Sequence, residues 1–314
     1  MCGIAGKVSA RAAVDPALVA RMCACLAHRG PDSQGMHVEG PVGLGMRRLA
    51  VIDVEGGEQP LYSEDGQVVL VFNGEVYNHR ALRAELAARG HRLSSGSDAE
   101  VVVHLYEELG PRCVERLRGM FAFAIWDGAR RRLVLARDRI GKKPLHWTLR
   151  DESLLFASEP RAILQDPSVP CEPDPVAIDA YLVNQYVPHH LHAFRGLRKL
   201  PPAGLLVWEP GGEPRVGRFW EPARQPVHRL GREEAAERAR ALLLDATQAR
   251  LEADVPLGAF LSGGVDSSAV VAAMARTSPG TVRTFSVAFP DEGFDESPYA
   301  RAVAEAYGTE HRTL

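Results

Sequence analysis

The chain has 314 residues, 46% hydrophobic and 25% charged, which is too apolar for a disordered chain and long enough for two folded units of ~100–200 residues. Lys and Arg number 37 against 40 Asp and Glu, a formal net charge of -3, so no broad basic field exists to gather a phosphate backbone and nucleic acid is not an expected partner. No apolar run approaches the ~20 residues that span a bilayer, and MCGIAGKVSARAA at the start lacks a charged region followed by an apolar one, so the expectation is a cytoplasmic protein with no membrane partner.

The first predicted helix opens at Asp15 as N-cap with Pro16 in its first turn and closes before Gly30, carrying Cys23 and Cys25 as small core filler. The five cysteines, Cys2, Cys23, Cys25, Cys113 and Cys171, are odd in number and have neither CxxC pairs nor histidines at zinc-finger spacing, which argues against a disulfide or zinc framework. Short strands are predicted over 67–72, 120–126 and 132–136, with an amphipathic helix over 99–109, a mixture that reads as a sheet-rich α+β unit. His189, His190 and His192 follow Pro188 without carboxylates nearby and read as solvated rather than metal-binding. Pro and Gly then thicken in WEPGGEPRVGRFWEPARQPVHRLG, so the expected domains are 2–208, a linker over 209–230, and 231–314. In the last segment a helix over 232–251, a strand over 255–261, a glycine turn, a helix over 267–276, a strand over 281–289 and a helix over 297–307 ended by Gly308 alternate as in a parallel α/β sheet. Another strand starts near Leu314, and the chain reads as the front part of a longer protein.

Cys2 stands apart from the other thiols. Methionine before a small residue is usually removed, leaving a thiol and a free α-amine on one residue. An amine of pKa ~7.7–8 can serve as base for a thiol of ~8.5, so nucleophile and base need no further partner. Spacing alone leaves a second reading open, a small buried residue in a first strand. A lipid-anchored cysteine is set aside because no signal peptide precedes it.

MCGIAG (1–6), HRGPD (28–32), RLAVID (48–53), FNGEVYN (72–78), SD (97–98) and ARDRIGKKPL (136–145) occur in that order. Together they resemble the class II, N-terminal-nucleophile glutamine amidotransferases. The resemblance implies an N-terminal-nucleophile fold of stacked antiparallel sheets between helices, with Cys2 attacking the glutamine side-chain amide. It also implies an oxyanion hole from the Asn73 amide and the Gly74 N–H, Arg48 on the substrate carboxylate, Asp98 on its ammonium, Glu75 beside the amide, and a pocket edge from Leu49, Ala50, Val51 and Ile52. Read without the resemblance, Asn73-Gly74 between apolar runs is a type I′ hairpin turn. Ser97 with Glu100 is a capping box, and Asp98 sits in the first turn of its helix.

LSGGVDSS (261–268) joins an apolar strand to a helix, where backbone N–H groups gather anions. No lysine follows the glycines, so the loop is not a Walker A motif; a plain strand-to-helix turn is the other reading. The string resembles the pyrophosphate loop of the ATP pyrophosphatases. That implies ATP contacts from Leu261, Ser262, Gly263, Gly264, Asp266, Ser267, Ser268 and Val287, with Asp266 also reaching Mg²⁺. Two such domains in this order resemble the glutamine-hydrolysing asparagine synthetase family. The implied reaction makes an aspartyl adenylate from aspartate and ATP, passes ammonia internally, and yields asparagine, glutamate, AMP and pyrophosphate. Another carboxylate acceptor, or a non-catalytic glutamine-binding relative, are the alternatives, and a homodimer is the oligomeric state the resemblance suggests.

Overall fold

The computed structural model describes residues 1–222, 230–291 and 293–314. It divides into two compact units, Met1–Pro222 and Ala223–Leu314; residues 223–229 of the expected linker lie outside the described residues.

In chain order the first unit begins β1 (Gly3–Ser9), α1 (Pro16–Ala24), β2 (Ser33–Glu39), β3 (Val42–Arg48), β4 (Leu61–Tyr62), β5 (Val68–Val76), α2 (His79–Ala88) and α3 (Glu100–Leu109). It continues with β6 (Gly119–Asp127), β7 (Arg132–Arg137), β8 (His146–Arg150), β9 (Ser153–Ala157), α4 (Pro160–Ile163), α5 (Pro175–Asn184), β10 (Arg198–Lys199), β11 (Gly204–Trp208) and β12 (Arg215–Arg218). One six-stranded antiparallel sheet has the order β10-β8-β9-β1-β3-β2 and the other β12-β11-β7-β6-β5-β4. Alternation along β6 explains the layering: Ala122, Ala124 and Trp126 face the other sheet with Ile4, Leu44 and Phe156, while Phe121, Phe123 and Ile125 face α2 and α3 with Leu82, Val102 and Leu105. Both faces are therefore buried, as a strand between two layers requires. Phe72, Phe121 and Phe123 lie 5.6–6.4 Å apart, each pair adding ~0.5–1.5 kcal/mol beyond area burial. Across the first sheet, Leu18, Met22 and Leu26 from α1 and its C-terminal extension cover Ala5, Leu155 and Ala157. The helix starts as read, with Asp15 accepting the Ala17 N–H at 2.8 Å and Pro16 in the first turn. The unit is thus two antiparallel sheets between helical layers.

Three local expectations are corrected. Asn73-Gly74 is not a hairpin turn: β5 runs on to Val76, pairing with β6 over nine residues, and Gly74 faces Phe121 with φ outside the left-handed region. Ser97 and Glu100 form no capping box, because the Glu100 carboxylate is taken by the N–H and hydroxyl groups of Ser94 and Ser95, so α3 starts after Ala99 without a side-chain cap. Part of the expected linker is sheet: Gly211 takes φ +96, Trp208 Nε1 donates to the Gly212 carbonyl, and the resulting hairpin adds β12 to β11.

The second unit comprises α6 (Arg232–Gln248), β13 (Gly258–Phe260), α7 (Val265–Thr277), β14 (Arg283–Ser286), α8 (Ser297–Tyr307) and β15 (Glu310–Thr313). Its three strands are parallel in the order β13-β14-β15, with α7 and α8 as the crossovers. Gly308 ends α8 at φ +61, as its position predicts. Leu261, Val271, Ala300 and Ala304 form its core. Among the described residues no helix is long and apolar enough to cross a membrane.

Candidate active site

Cys2 precedes β1, which lies between β9 and β3. The Leu49 N–H donates to its Sγ at 3.4 Å, and the thiol faces the Leu49 carbonyl at 3.6 Å. Arg29 fixes the main chain here, Nε donating to the Cys2 carbonyl at 3.0 Å while Nη1 reaches Glu159 at 3.1 Å. Burial pushes the Cys2 thiol above its ordinary range, partly offset by the Leu49 hydrogen bond and by the charges of the terminal amine, Lys143 and Arg48. With Met1 in place the Cys2 nitrogen is a peptide amide and cannot act as a base; removal of Met1 frees it.

A cavity of about 180 Å³ opens beside this thiol, lined by Cys2, Arg48, Leu49, Val51, Ile52, Asn73, Gly74, Glu75 and Asp98 among others. Of the residues expected to hold glutamine, only Ala50 is off the wall; its N–H is taken by Asp32 Oδ2 at 2.9 Å. Asn73 is 1% exposed, and its Nδ2 has no hydrogen-bond partner among the described residues. Such a donor is costly to bury unpaired, which marks a group kept for something else. Along β5 the Phe72 N–H reaches the Gln59 side chain at 2.7 Å and the Val76 N–H reaches Asp98 Oδ2 at 2.6 Å. Strand alternation sends the Gly74 N–H to the same edge, between them. A Cβ at residue 74 would lie 2.2 Å from the Met120 carbonyl oxygen, so only glycine fits.

Arg48 is 5% exposed, and its guanidinium holds the following loop: Nη2 donates to the Ile52 and Asp53 carbonyls at 3.1 and 2.6 Å, and Nη1 to Val54 and Glu58 at 3.0 and 3.4 Å. Four donors are spent on the loop, so a bound carboxylate would meet a preset positive wall rather than an idle fork. Asp98 is 6% exposed, and burial raises its carboxyl, against the Val76 N–H that favours its ionised form. A cationic guest would relieve that penalty. Sequence reading gave no part to Lys143, Gln59 or Met120, which also line the cavity. Lys143 lies inside the ARDRIGKKPL segment, yet nothing in its spacing foretells that it is 6% exposed, its ammonium disfavoured by burial and supported by Glu75 and Cys2.

In the second unit α7 begins two residues earlier than the pattern suggested, with Gly264 as N-cap and Asp266 in the first turn. Gly263 takes φ +80, and a Cβ there would sit 2.4 Å from Tyr299 Cβ, so the loop requires glycine. Ser262 Oγ lies 3.1 Å from Ser267 Oγ and accepts the Gly264 N–H at 3.3 Å. Ser268 Oγ is enclosed without a hydrogen-bond partner among the described residues. Leu261 is buried and joins the loop to β14 through the Phe285 carbonyl; Val287, just past β14, is 52% exposed. The histidines read as solvated divide: His189 and His190 are exposed, but His192 is 6% exposed and pairs with His146 at 3.0 Å. Burial, helped by His192 and nearby cations, pushes His146 down to about 3, so this pair is a neutral structural contact.

Residues 1–220 match the family model described as glutamine amidotransferase domain, and residues 238–314 match asparagine synthase. Asparagine synthetase [glutamine-hydrolyzing] 1 of Bacillus subtilis is 36% identical over 99% of this chain and 49% of its own length. Asparagine synthetase [glutamine-hydrolyzing] 3 of the same organism is 35% identical over 99% of this chain and 53% of its own. The chain thus spans about half the length of these relatives. Among solved structures, glutamine phosphoribosylpyrophosphate amidotransferase from B. subtilis superposes with a TM-score of 0.52 at 18% identity, covering 99% of this chain and 65% of that one, a likeness of fold. With its first 220 residues matched end to end, the chain belongs to the glutamine amidotransferase domain family, with a segment similar to asparagine synthase behind it.

Proposed function

We propose that the chain carries the glutaminase half, and the nucleotide loop of the synthetase half, of a glutamine-dependent asparagine synthetase. The observation that carries the reading is the unpaired, buried Asn73 Nδ2 beside the Gly74 N–H edge, in the same cavity as Cys2 Sγ. The α-amine freed by loss of Met1 takes the thiol proton. Sγ then adds to the glutamine side-chain carbonyl, and the developing oxyanion receives the two waiting donors. Collapse expels ammonia with the proton returned by the amine and leaves a thioester, which water hydrolyses to glutamate. Asp98 balances the substrate ammonium, Arg48 gives the positive wall for its carboxylate, and Glu75 borders the amide.

The loop over 262–268 fits a pyrophosphate group: glycine where a Cβ would clash, the first N–H groups of α7, paired serine hydroxyls and the unsatisfied Ser268 Oγ. Gly263 and Gly264 give close backbone approach, Ser262, Ser267 and Ser268 the hydroxyls, and Asp266 the carboxylate for Mg²⁺. ATP supplies the leaving group that makes an acceptor carboxylate, here aspartate, reactive toward ammonia.

Product analysis of the intact protein given glutamine, ATP, Mg²⁺ and aspartate, with Cys2→Ala alongside, tests both halves. Asparagine and AMP from wild type, with no glutamine-dependent product from Cys2→Ala, are expected. Glutamate without asparagine would replace aspartate by another acceptor, and no glutamate at all would overturn the reading.

A further inference from the structure

Four ligating side chains from three separate segments meet in the first unit at a place the glutaminase chemistry does not use. Glu64 follows β4, His91 follows α2, and His104 and Glu107 stand three residues apart on α3. One ligand atom of each side chain, a ring nitrogen from either histidine and an oxygen from either carboxylate, all lie within 4.8 Å of one another. His91 Nδ1 is 3.2 Å from Glu64 Oε1 and 3.8 Å from Glu107 Oε2; His104 Nδ1 is 3.3 Å from Glu64 Oε2 and 2.9 Å from Glu107 Oε2. A tetrahedral ion with bonds of ~2.0–2.1 Å needs ligand atoms about 3.3–3.4 Å apart. The four separations, two of them to different oxygens of Glu64, run from 2.9 to 3.8 Å around that edge, and every pair of the set lies within 4.8 Å.

The far side of each ring is an independent observation. His91 Nε2 faces Glu108 Oε1 at 3.2 Å, and His104 Nε2 faces Glu100 Oε1 at 4.0 Å with no hydrogen-bond partner among the described residues. A proton on each Nε2, directed at these carboxylates, leaves both Nδ1 lone pairs aimed at Glu64 and Glu107, which only accept. A proton on a ring or on a carboxyl, or one cation, must stand in these contacts. The rings are 4.9 Å apart, the His104 side chain is 1% exposed, and the four carboxylates of Glu64, Glu100, Glu107 and Glu108 surround the pair, so the place favours positive charge. A single divalent ion answers that negative surround and completes the carboxylate–histidine–metal arrangement in which outer carboxylates orient ligating imidazoles.

We infer that Glu64, His91, His104 and Glu107 form a structural site for a divalent transition-metal ion of the zinc type. Its two-nitrogen, two-oxygen set suits Zn²⁺ better than Mg²⁺, which prefers oxygen and octahedral geometry. The Glu64 side chain is 36% exposed, and a cavity of about 550 Å³ reaches Glu64 and His104, giving the ion an entry. An ion there ties β4, the end of α2 and α3 together. Through His104 it also braces Glu100, which holds Ser94 and Ser95 of the loop leading to Asp98.

The test is to strip the intact protein with a chelator and titrate it with Zn²⁺ against a chromophoric competitor, following thermal unfolding in parallel. Cys2→Ala/Cys25→Ala/Cys171→Ser serves as the background, so that the three thiols that are not buried do not bind the probe. One Zn²⁺ per chain and a raised Tm are expected. His91→Gln/Glu107→Gln should weaken binding at least ~100-fold and abolish the Tm rise. Should that pair fail to fold, Glu64→Gln on the exposed side should weaken binding at least ~10-fold. Absence of stoichiometric binding, or binding unchanged in the variants, would overturn the assignment and leave a proton-bridged network of His and Glu.

Discussion

Replacing Asn73 by alanine isolates the oxyanion donor from the fold. Its Nδ2 is buried and makes no hydrogen bond among the described residues, so the substitution breaks no amide donor contact there and leaves the β5 backbone pairing with Ala122 intact. Stability should change by no more than ~1 kcal/mol, or a Tm shift of at most ~4 °C for a unit of this size. The loss falls on the transition state, where one donor to a developing oxyanion is worth ~2.7–4 kcal/mol, a ~10²–10³-fold drop in kcat. KM should move far less, because the ground-state carbonyl carries little charge. Steady-state glutamate release, read beside circular dichroism and thermal melts, decides it. A well-folded Asn73→Ala protein retaining kcat within ~10-fold of wild type would refute Asn73 as oxyanion donor.

Asp98→Asn keeps an acceptor for the Val76 N–H but removes a charge whose pKa burial has raised. A carboxyl raised on folding binds its proton more tightly in the native state, so its stability contribution is present at low pH and lost as pH rises through the folded value. Asp98→Asn should therefore match or exceed wild-type stability at neutral pH while glutamine KM rises by about two decades, from an unpaired ammonium worth ~3 kcal/mol; an unchanged KM would remove Asp98 from substrate binding. Protein retaining Met1, identified by intact mass, should lose ~10²–10⁴-fold in glutaminase rate, since its Cys2 nitrogen is no base; full activity with Met1 attached would assign the base elsewhere. Alkylation of Cys2 should be slow at neutral pH and speed up above the ordinary thiol range, and Lys143→Met should slow it further by removing a charge that favours the thiolate. Gly263→Ala should weaken ATP binding at least ~10-fold, through the disfavoured φ and the approach of Tyr299, while glutaminase activity stays at wild-type level.

Local chemistry was legible in the sequence wherever it rests on short-range rules. The Asp15-Pro16 start of α1, the Gly308 stop of α8 and the strand–helix alternation of the last unit follow from caps, backbone freedom and periodicity, which act within a few residues. The same rules misread Asn73-Gly74. A dipeptide that favours a turn was overruled by nine residues of pairing with β6, and that pairing is what puts an amide and a backbone N–H into one cavity. Glu100 looked like a cap, but folding brought Ser94 and Ser95 to it, and four hydrogen bonds outweigh one. Resemblance supplied the residue types of the pocket. Only the tertiary structure decided that Arg48 spends four donors on its own loop, that Lys143 shares the wall with Cys2, and that Glu64, His91, His104 and Glu107, spread over 44 residues of sequence, converge within 4.8 Å. Contacts of this kind depend on the register of strands and the packing of helices over long separations, and no local propensity encodes a distance between residues that meet only after folding.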